Sequence, residues 1–182
     1  KRVLPPTAQT DLAGQSREFR DSSTDIYFVF VVAVAFIYLV VEAEPLPSRE
    51  RHPAGPGERV YGMCHVVFMR KPAQLEREQW LSIWKDSHTA VAIDTQSTFG
   101  YRQNVVARVL GAGTLAFDAI VEENFPPEAM DSDHAFYNTG GDDALLQQRM
   151  TAMIESCARF IDFEHIDVIP MSEYVIRDIV RP

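Results

Sequence analysis

The pattern of apolar, β-branched and turn-forming residues predicts four β-strands along the second part of this chain. Residues 60–70 predict a strand with Tyr61, Met63, His65, Val67 and Met69 on one face and Cys64, Val66 and Phe68 on the other. Residues 98–110 and 115–125 are rich in strand-forming residues and are joined through glycines, so they predict a hairpin. A last strand at 164–176 contains Pro170, which favours an edge position or a bend.

Three other segments have apolar residues at helical spacing. Residues 75–93 follow Pro72 and predict a long helix, and residues 128–137 follow two prolines and predict a shorter one. A third helix is capped by Asp142 or Asp143. Its apolar stripe consists of Leu146, Met150, Met153, Ile154, Cys157, Phe160 and Ile161. We interpret this stripe as core packing, because methionine commonly fills gaps in cores.

The element order from residue 60 onward is therefore β-α-β-β-α-α-β. It predicts an α+β fold of the ferredoxin-like, split βαβ type with an antiparallel sheet. Because the helices of such a fold cover one face of the sheet, the second face needs a cover, and a second copy of the sheet gives a dimeric α/β barrel. We expect a homodimer or an internal pseudo-dimer.

Proline and glycine divide the chain into regions. Residues 45–59 contain four prolines and two glycines and predict a linker. Residues 60–177 hold the complete set of elements described above. Residues 38–45 weakly resemble residues 168–175, so we expect residues 1–44 to be a partial or degenerate first ferredoxin-like unit.

Residues 26–41 form an uncharged apolar run with acidic residues on both sides. As a helix the run would rise about 24 Å, which is less than the roughly 30 Å of a bilayer core. Its content of Val, Ile, Phe and Tyr favours a buried strand. We expect this strand and no membrane partner, and a membrane-associated segment is the alternative.

Composition excludes several classes of protein. A net charge of -9 argues against nucleic acid as a partner. Cys64 and Cys157 have no CxxC spacing, so we expect reduced thiols in the core and neither a disulfide scaffold nor a zinc site. The first residues do not resemble a secretory signal, and we therefore expect a cytoplasmic protein.

Known nucleotide and hydrolase motifs are missing from the sequence. No GxGxxG follows a predicted strand, and neither GxxxxGK[ST] nor GxSxG occurs. No cluster of metal-ligating residues is evident either. We therefore expect no cofactor and no metal.

Four segments together resemble a known family. They are WLSIWKDSHTAVA at 80–92, YRQNVV at 101–106, DAIVEENF at 118–125 and RFIDFEHIDVIPMSEYV at 159–175. Over roughly residues 60–176 the chain resembles the EthD-like family of the dimeric α/β-barrel superfamily, including its tandem forms. The resemblance implies a cofactor-independent oxidoreductase or dehydratase that binds a small aromatic or polyketide-like molecule between sheet and helices. A non-catalytic module for hydrophobic-ligand binding or assembly is the alternative.

The strongest site candidates lie within residues 80–104. Trp80, Trp84 and His88 are four residues apart, so one helix face presents two indoles and an imidazole as a candidate pocket wall. His88 is the candidate general acid or base, and its alternative is a packed core histidine bonded to a backbone carbonyl. Tyr101 and Asn104 point to opposite faces of their strand, so only one of them can share the pocket with His88.

Three further residues complete the predicted ligand-binding set. His65 either faces the cavity or packs in the core, and Phe117 supplies apolar contact. Glu122 shares a strand face with Asp118, whereas the adjacent Glu123 faces the other side. A buried carboxylate at Glu122 would have a raised pKa and could transfer a proton. A solvated or salt-bridged carboxylate is the alternative.

Overall fold

The four segments predicted as strands form strands, and neighbouring strands of the sheet are antiparallel. The structure, a computed structural model, describes residues 38–111 and 115–176. Five strands form a single sheet in the order β1-β3-β4-β2-β5. The strands are β1 Tyr38–Leu46, β2 Met63–Met69, β3 Gly100–Val109, β4 Ala119–Phe125 and β5 Ile166–Met171.

The helices follow the predicted order but differ in detail. They are α1 Ser48–Arg51, α2 Arg77–Ser82, a π-helical segment Ile83–His88, α3 Thr89–Thr95, a 3-10 turn Pro127–Met130, α4 Asp133–Phe136 and α5 Asp143–Ala158. The first long helix therefore runs from Arg77 to Thr95, with a π-helical segment in its middle. Asp142 caps α5 by accepting hydrogen bonds from the backbone N–H groups of Ala144 and Leu145.

The predicted α+β class and the element order from residue 60 are confirmed. The order of β3, β4, β2 and β5 and their antiparallel pairing are compatible with a ferredoxin-like arrangement. The single helix predicted at 128–137 is wrong in detail, because it consists of a 3-10 turn and a separate short helix. Ser132 separates the two, since its hydroxyl accepts from the backbone N–H of Ala135 and starts a new helix.

Strand β1 lies at the edge of the sheet, beside β3. It begins within the predicted first unit, ends within the predicted linker at 45–59, and pairs with a strand of the predicted complete unit. Pro45 fits this position, because an edge strand leaves one row of N–H groups without ladder partners. The linker also contains the one-turn helix α1, which follows Pro47. The boundaries between units remain predictions.

The apolar run at 26–41 is described only from Tyr38, where it forms a strand as predicted. The expectation that this strand is buried is wrong in the described part, because β1 is an edge strand and Leu39 and Val41 are 50% and 61% exposed. Residues 26–37 of the run lie outside the described residues. Within the described ranges, no helix is both long and apolar enough to cross a membrane.

The two faces of the sheet have different surroundings. The helix face, which carries His65, Tyr101 and Val121, packs against the helices and forms the main core. The Arg102 face is the opposite one and carries Arg102, Asn104 and Glu122.

One member of the predicted core stripe of α5 is an exception. The expectation that Ile154 packs in the core is wrong, because its side chain is 59% exposed. Its neighbour Met153 packs against the main core, so the buried stripe is narrower than predicted. Both cysteines are free thiols, with Cys64 buried and Cys157 partly buried.

Candidate functional site

A cavity of about 250 Å³ lies between the helix face and the helices. Its apolar wall includes Phe136, Met153 and Phe160, and the exposed Phe163 and Val168 form part of its boundary. Its polar lining consists of His65, His88, Tyr101, Glu123 and Cys157. The lining contains no Lys or Arg among the described residues. An aromatic or aliphatic ligand would therefore meet mainly apolar surface, with hydrogen-bonding groups at a few points.

His88 ends the π-helical segment, and its ring lies in the cavity wall. The backbone N–H of Thr89 donates to the carbonyl of Trp84 across five residues, which is the π-helical bond. The hydroxyl of Thr89 donates to the same carbonyl at 2.9 Å. Single π-helical turns are frequent at functional sites, and here the turn sets the position of the imidazole.

The imidazole of His88 is only 3% exposed. Its Nδ1 shares a hydrogen bond of 2.9 Å with the hydroxyl of Ser156 on α5, and its ring packs against Phe160. Burial, reinforced by the positive charge of Arg159, lowers the pKa of His88 to about 4. The ring is therefore neutral near pH 7, and Nε2 has no hydrogen-bond partner among the described residues.

Tyr101 and Trp84 form the buried floor beside His88. The indole N–H of Trp84 donates to the Tyr101 hydroxyl at 3.0 Å, and both side chains are buried. Gln103 donates to the hydroxyl of Thr89 at 2.8 Å, which ties strand β3 to the helix. Burial raises the pKa of Tyr101, so its hydroxyl stays protonated.

Glu123 is a site residue that was not predicted from the sequence. It lies on β4 between His65 of β2 and Tyr101 of β3, which are its direct cross-strand partners. The side chain is buried, and burial raises the pKa of its carboxyl group to about 7. In the described part of the chain this carboxyl group forms no hydrogen bond and no ion pair.

A signal for Glu123 was present in the sequence. Val121 and Phe125 lie two residues away on either side and are apolar, whereas Asn124 shares the parity of Glu122. This parity places Glu123 on the core face. Glu122 was predicted because Asp118 shares its strand face, and the apolar neighbours of Glu123 did not enter that prediction.

The structure divides the predicted site residues into two groups. His65, Trp84, His88 and Tyr101 line the cavity together. Trp80 is fully buried outside the lining, because its indole N–H donates to the carbonyl of Phe160 at 2.9 Å. The prediction that only one of Tyr101 and Asn104 shares the pocket with His88 is confirmed.

Asn104 and Glu122 lie on the Arg102 face. Asn104 donates to Glu122 at 2.9 Å, and Arg102 donates to the other carboxylate oxygen of Glu122 at 2.6 Å. Glu122 therefore matches the salt-bridged alternative. Phe117 lies near Phe68 and lines a separate cavity of about 210 Å³ with Arg70 and His165.

The described residues contain no cluster of His, Cys, Asp and Glu that could hold a metal ion. The cavity combines the carboxyl group of Glu123, whose pKa is near neutral pH, with His65 and His88, whose pKa values are lowered by burial. Such a set can accept a proton and donate hydrogen bonds to a neutral ligand. Neither the models of known protein families nor the curated proteins compared with this chain match it.

Proposed function

We propose that this protein binds a small aromatic or polyketide-like molecule between sheet and helices and transfers a proton on it. In this proposal the protein is an EthD-like, cofactor-independent enzyme of the oxidoreductase or dehydratase type, and His88 takes part in the proton transfer. The observation that carries the proposal is the cavity of about 250 Å³ that reaches His88.

The chemistry of the lining supports this choice of ligand. Phe136, Phe160 and Phe163 offer aromatic surface, and Trp84 and Tyr101 close the floor. Pockets for drug-sized ligands span roughly 300–1,000 Å³, so this cavity suits a molecule of one or two rings. A ring system stacked on these side chains would place its polar group toward the sheet, where His65 and Glu123 lie.

The assembly expected from the fold is also part of the proposal. We infer that two sheets meet through their Arg102 faces in a dimeric α/β barrel, since the helices cover only the opposite face. The two free cysteines suit a reducing compartment, which supports a cytoplasmic location.

One observation favours a second candidate, a non-catalytic module that binds a hydrophobic ligand. His88 is buried and bonded to Ser156, and burial lowers its pKa to about 4. A histidine with these properties also fits a packed structural role. The two candidates share the cavity and differ in whether the bound molecule reacts.

Binding and reaction can be tested separately with two defined probes. Calorimetry with 2-naphthol measures binding, and NMR in D₂O with 2-tetralone measures exchange of the protons next to its carbonyl. The enzyme proposal expects the wild-type protein to bind 2-naphthol and to accelerate exchange over the buffer rate. It also expects His88→Ala to slow exchange by about 100-fold.

The matched control is His165→Ala, because His165 is exposed and lies outside this cavity. It should bind and exchange like the wild type. Binding without exchange in the wild type would favour the non-catalytic module. If the wild type binds neither probe, the proposed function is contradicted.

Light scattering measures the molar mass in solution and would test the proposed dimer.

A further inference from the structure

Packing within the described residues does not explain why the carboxyl group of Glu123 is buried. It is 8% exposed and faces the cavity between two cross-strand neighbours, His65 and Tyr101. Buried carboxyl groups are normally hydrogen-bonded or paired, because desolvation of an unpaired charge is costly. Glu123 has neither kind of partner among the described residues. The group that completes its bonding would therefore come from outside the chain.

The adjacent Glu122 shows that the chain can supply hydrogen-bond donors to a carboxylate at this place in the sheet. Glu122 accepts hydrogen bonds from Arg102 and Asn104 on the other face. On the cavity side no Lys or Arg lines the space within the described ranges. An anionic ligand would meet a carboxylate and no cation there, so the lining favours a neutral ligand with an acidic hydrogen.

We propose that Glu123 is the catalytic base of this site and that its substrate class is a neutral carbonyl compound with an apolar body and a C–H bond next to the carbonyl. This inference rests on the proposed function and assigns the proton-accepting role to Glu123 in place of His88. His88 becomes the hydrogen-bond donor to the substrate oxygen.

The step balances without a further reactant. A carboxylate oxygen of Glu123 takes the proton of the C–H bond, and the electron pair of that bond moves into the carbonyl group to give an enolate. The mechanism uses the His88 tautomer in which Nδ1 accepts from the Ser156 hydroxyl, so that Nε2–H can donate to the enolate oxygen. Return of this proton from Glu123 to a conjugated carbon completes an isomerisation. In D₂O the proton held by Glu123 is first replaced by a solvent deuteron, and transfer of that deuteron to the original carbon completes an exchange.

The proton affinities of the two groups support this division of roles. A base is most effective when its pKa lies near the working pH. Burial brings the pKa of Glu123 to about 7, whereas that of His88 falls to about 4. A neutral imidazole with a low pKa is a poor proton acceptor at neutral pH but remains a hydrogen-bond donor.

The test compares Glu123→Gln with Glu122→Gln in the 2-tetralone exchange assay, with 2-naphthol binding measured on the same samples. Glutamine keeps the shape of the side chain but cannot accept the proton. We expect Glu123→Gln to slow exchange by about 100-fold or more while still binding 2-naphthol. Glu122→Gln, which changes the opposite face, should exchange like the wild type. Glu123→Asp keeps a carboxylate, so it should retain more exchange than Glu123→Gln and provides a second variant if the latter does not fold.

The outcomes separate this inference from the proposed function. If the wild type binds 2-naphthol and Glu123→Gln exchanges at the wild-type rate, Glu123 is not the base and only this inference fails. Wild-type binding without accelerated exchange also overturns it and leaves the binding function. If the wild type binds neither probe, the proposed function itself fails.

Discussion

Glu122 and Glu123 are neighbours in one strand, but the two sides of the sheet treat their carboxyl groups in opposite ways. Glu122 lies among polar groups that satisfy it, with Arg102 at 2.6 Å and Asn104 at 2.9 Å. Glu123 lies against an apolar cavity, and burial raises its pKa to about 7. The hydrogen-bonded carboxylate of Glu122 therefore stabilises the fold, whereas the carboxyl group of Glu123 lowers stability and is available for a ligand.

Arg102 is the cation on which the satisfied face depends. It lies within 4.0 Å of carboxylate oxygens of Glu42, Glu44, Glu122 and Glu173. Arg102→Ala would remove the cation beside the partly buried carboxylates of Glu44, Glu122 and Glu173, so we expect the free energy of unfolding to fall by about 4 kcal/mol. Urea unfolding measures it, with the exposed Arg108→Ala as control. A loss no larger than that of the control would contradict the role of Arg102.

Glu123→Gln should raise the free energy of unfolding, the opposite of Arg102→Ala, and the size of this effect should depend on pH. The pKa of Glu123 is raised from 4.5 to about 7 on folding, so ionisation above pH 4.5 favours the unfolded chain, and this penalty grows until the folded pKa is passed. The penalty amounts to about 3 kcal/mol. Relative to the wild type, Glu123→Gln should therefore be more stable near pH 8 than near pH 4 by about this amount. Parallel urea curves at the two pH values measure it, and a difference independent of pH would contradict the raised pKa.

Glu122→Gln tests the same chemistry on the satisfied face. Its charge-assisted bond to Arg102 would become a bond to a neutral amide, and we expect a loss of about 1.5 kcal/mol at neutral pH. Near pH 8, thermal and urea unfolding of Glu122→Gln and Glu123→Gln should show changes in stability of opposite sign. Changes of the same sign would contradict the contrast between the two faces of the sheet.

Ser156→Ala should have the smallest effect. It removes the hydroxyl bonded to Nδ1 of His88, and we expect a loss of about 1 kcal/mol in urea unfolding. Ser97→Ala is the matched control, because the Ser97 hydroxyl is buried without a partner among the described residues and its removal should be neutral or stabilising. A Ser156→Ala protein as stable as Ser97→Ala would mean that the bond to His88 contributes little.

The sequence predicted much of this architecture because strands and helices have short, local periods. The order of elements from residue 60 followed from alternation and helical spacing, and the Asp142 cap followed from its position before an apolar stripe. The same period-two rule correctly separated Tyr101 from Asn104. These features depend on residues close together in the chain, which a single sequence displays.

The candidate site was predicted less completely. Trp80 shares the helical spacing of Trp84 and His88, but its indole N–H donates to the Phe160 carbonyl in the core. The π-helical segment also changes the simple four-residue geometry between Trp84 and His88. The contact between Trp80 and Phe160 joins residues 80 positions apart, which spacing along one helix does not encode.

The set of elements, their order, and the placement of Glu122 and Glu123 on opposite sides of a strand follow from the sequence alone. Which of the two carboxyl groups has hydrogen-bond partners depends on the tertiary fold. That outcome depends on strand register, which places Arg102 beside Glu122 and both His65 and Tyr101 beside Glu123. Register brings together residues far apart in the chain, so the partners of a buried charge become fixed only when the sheet has formed and the helices have covered one face.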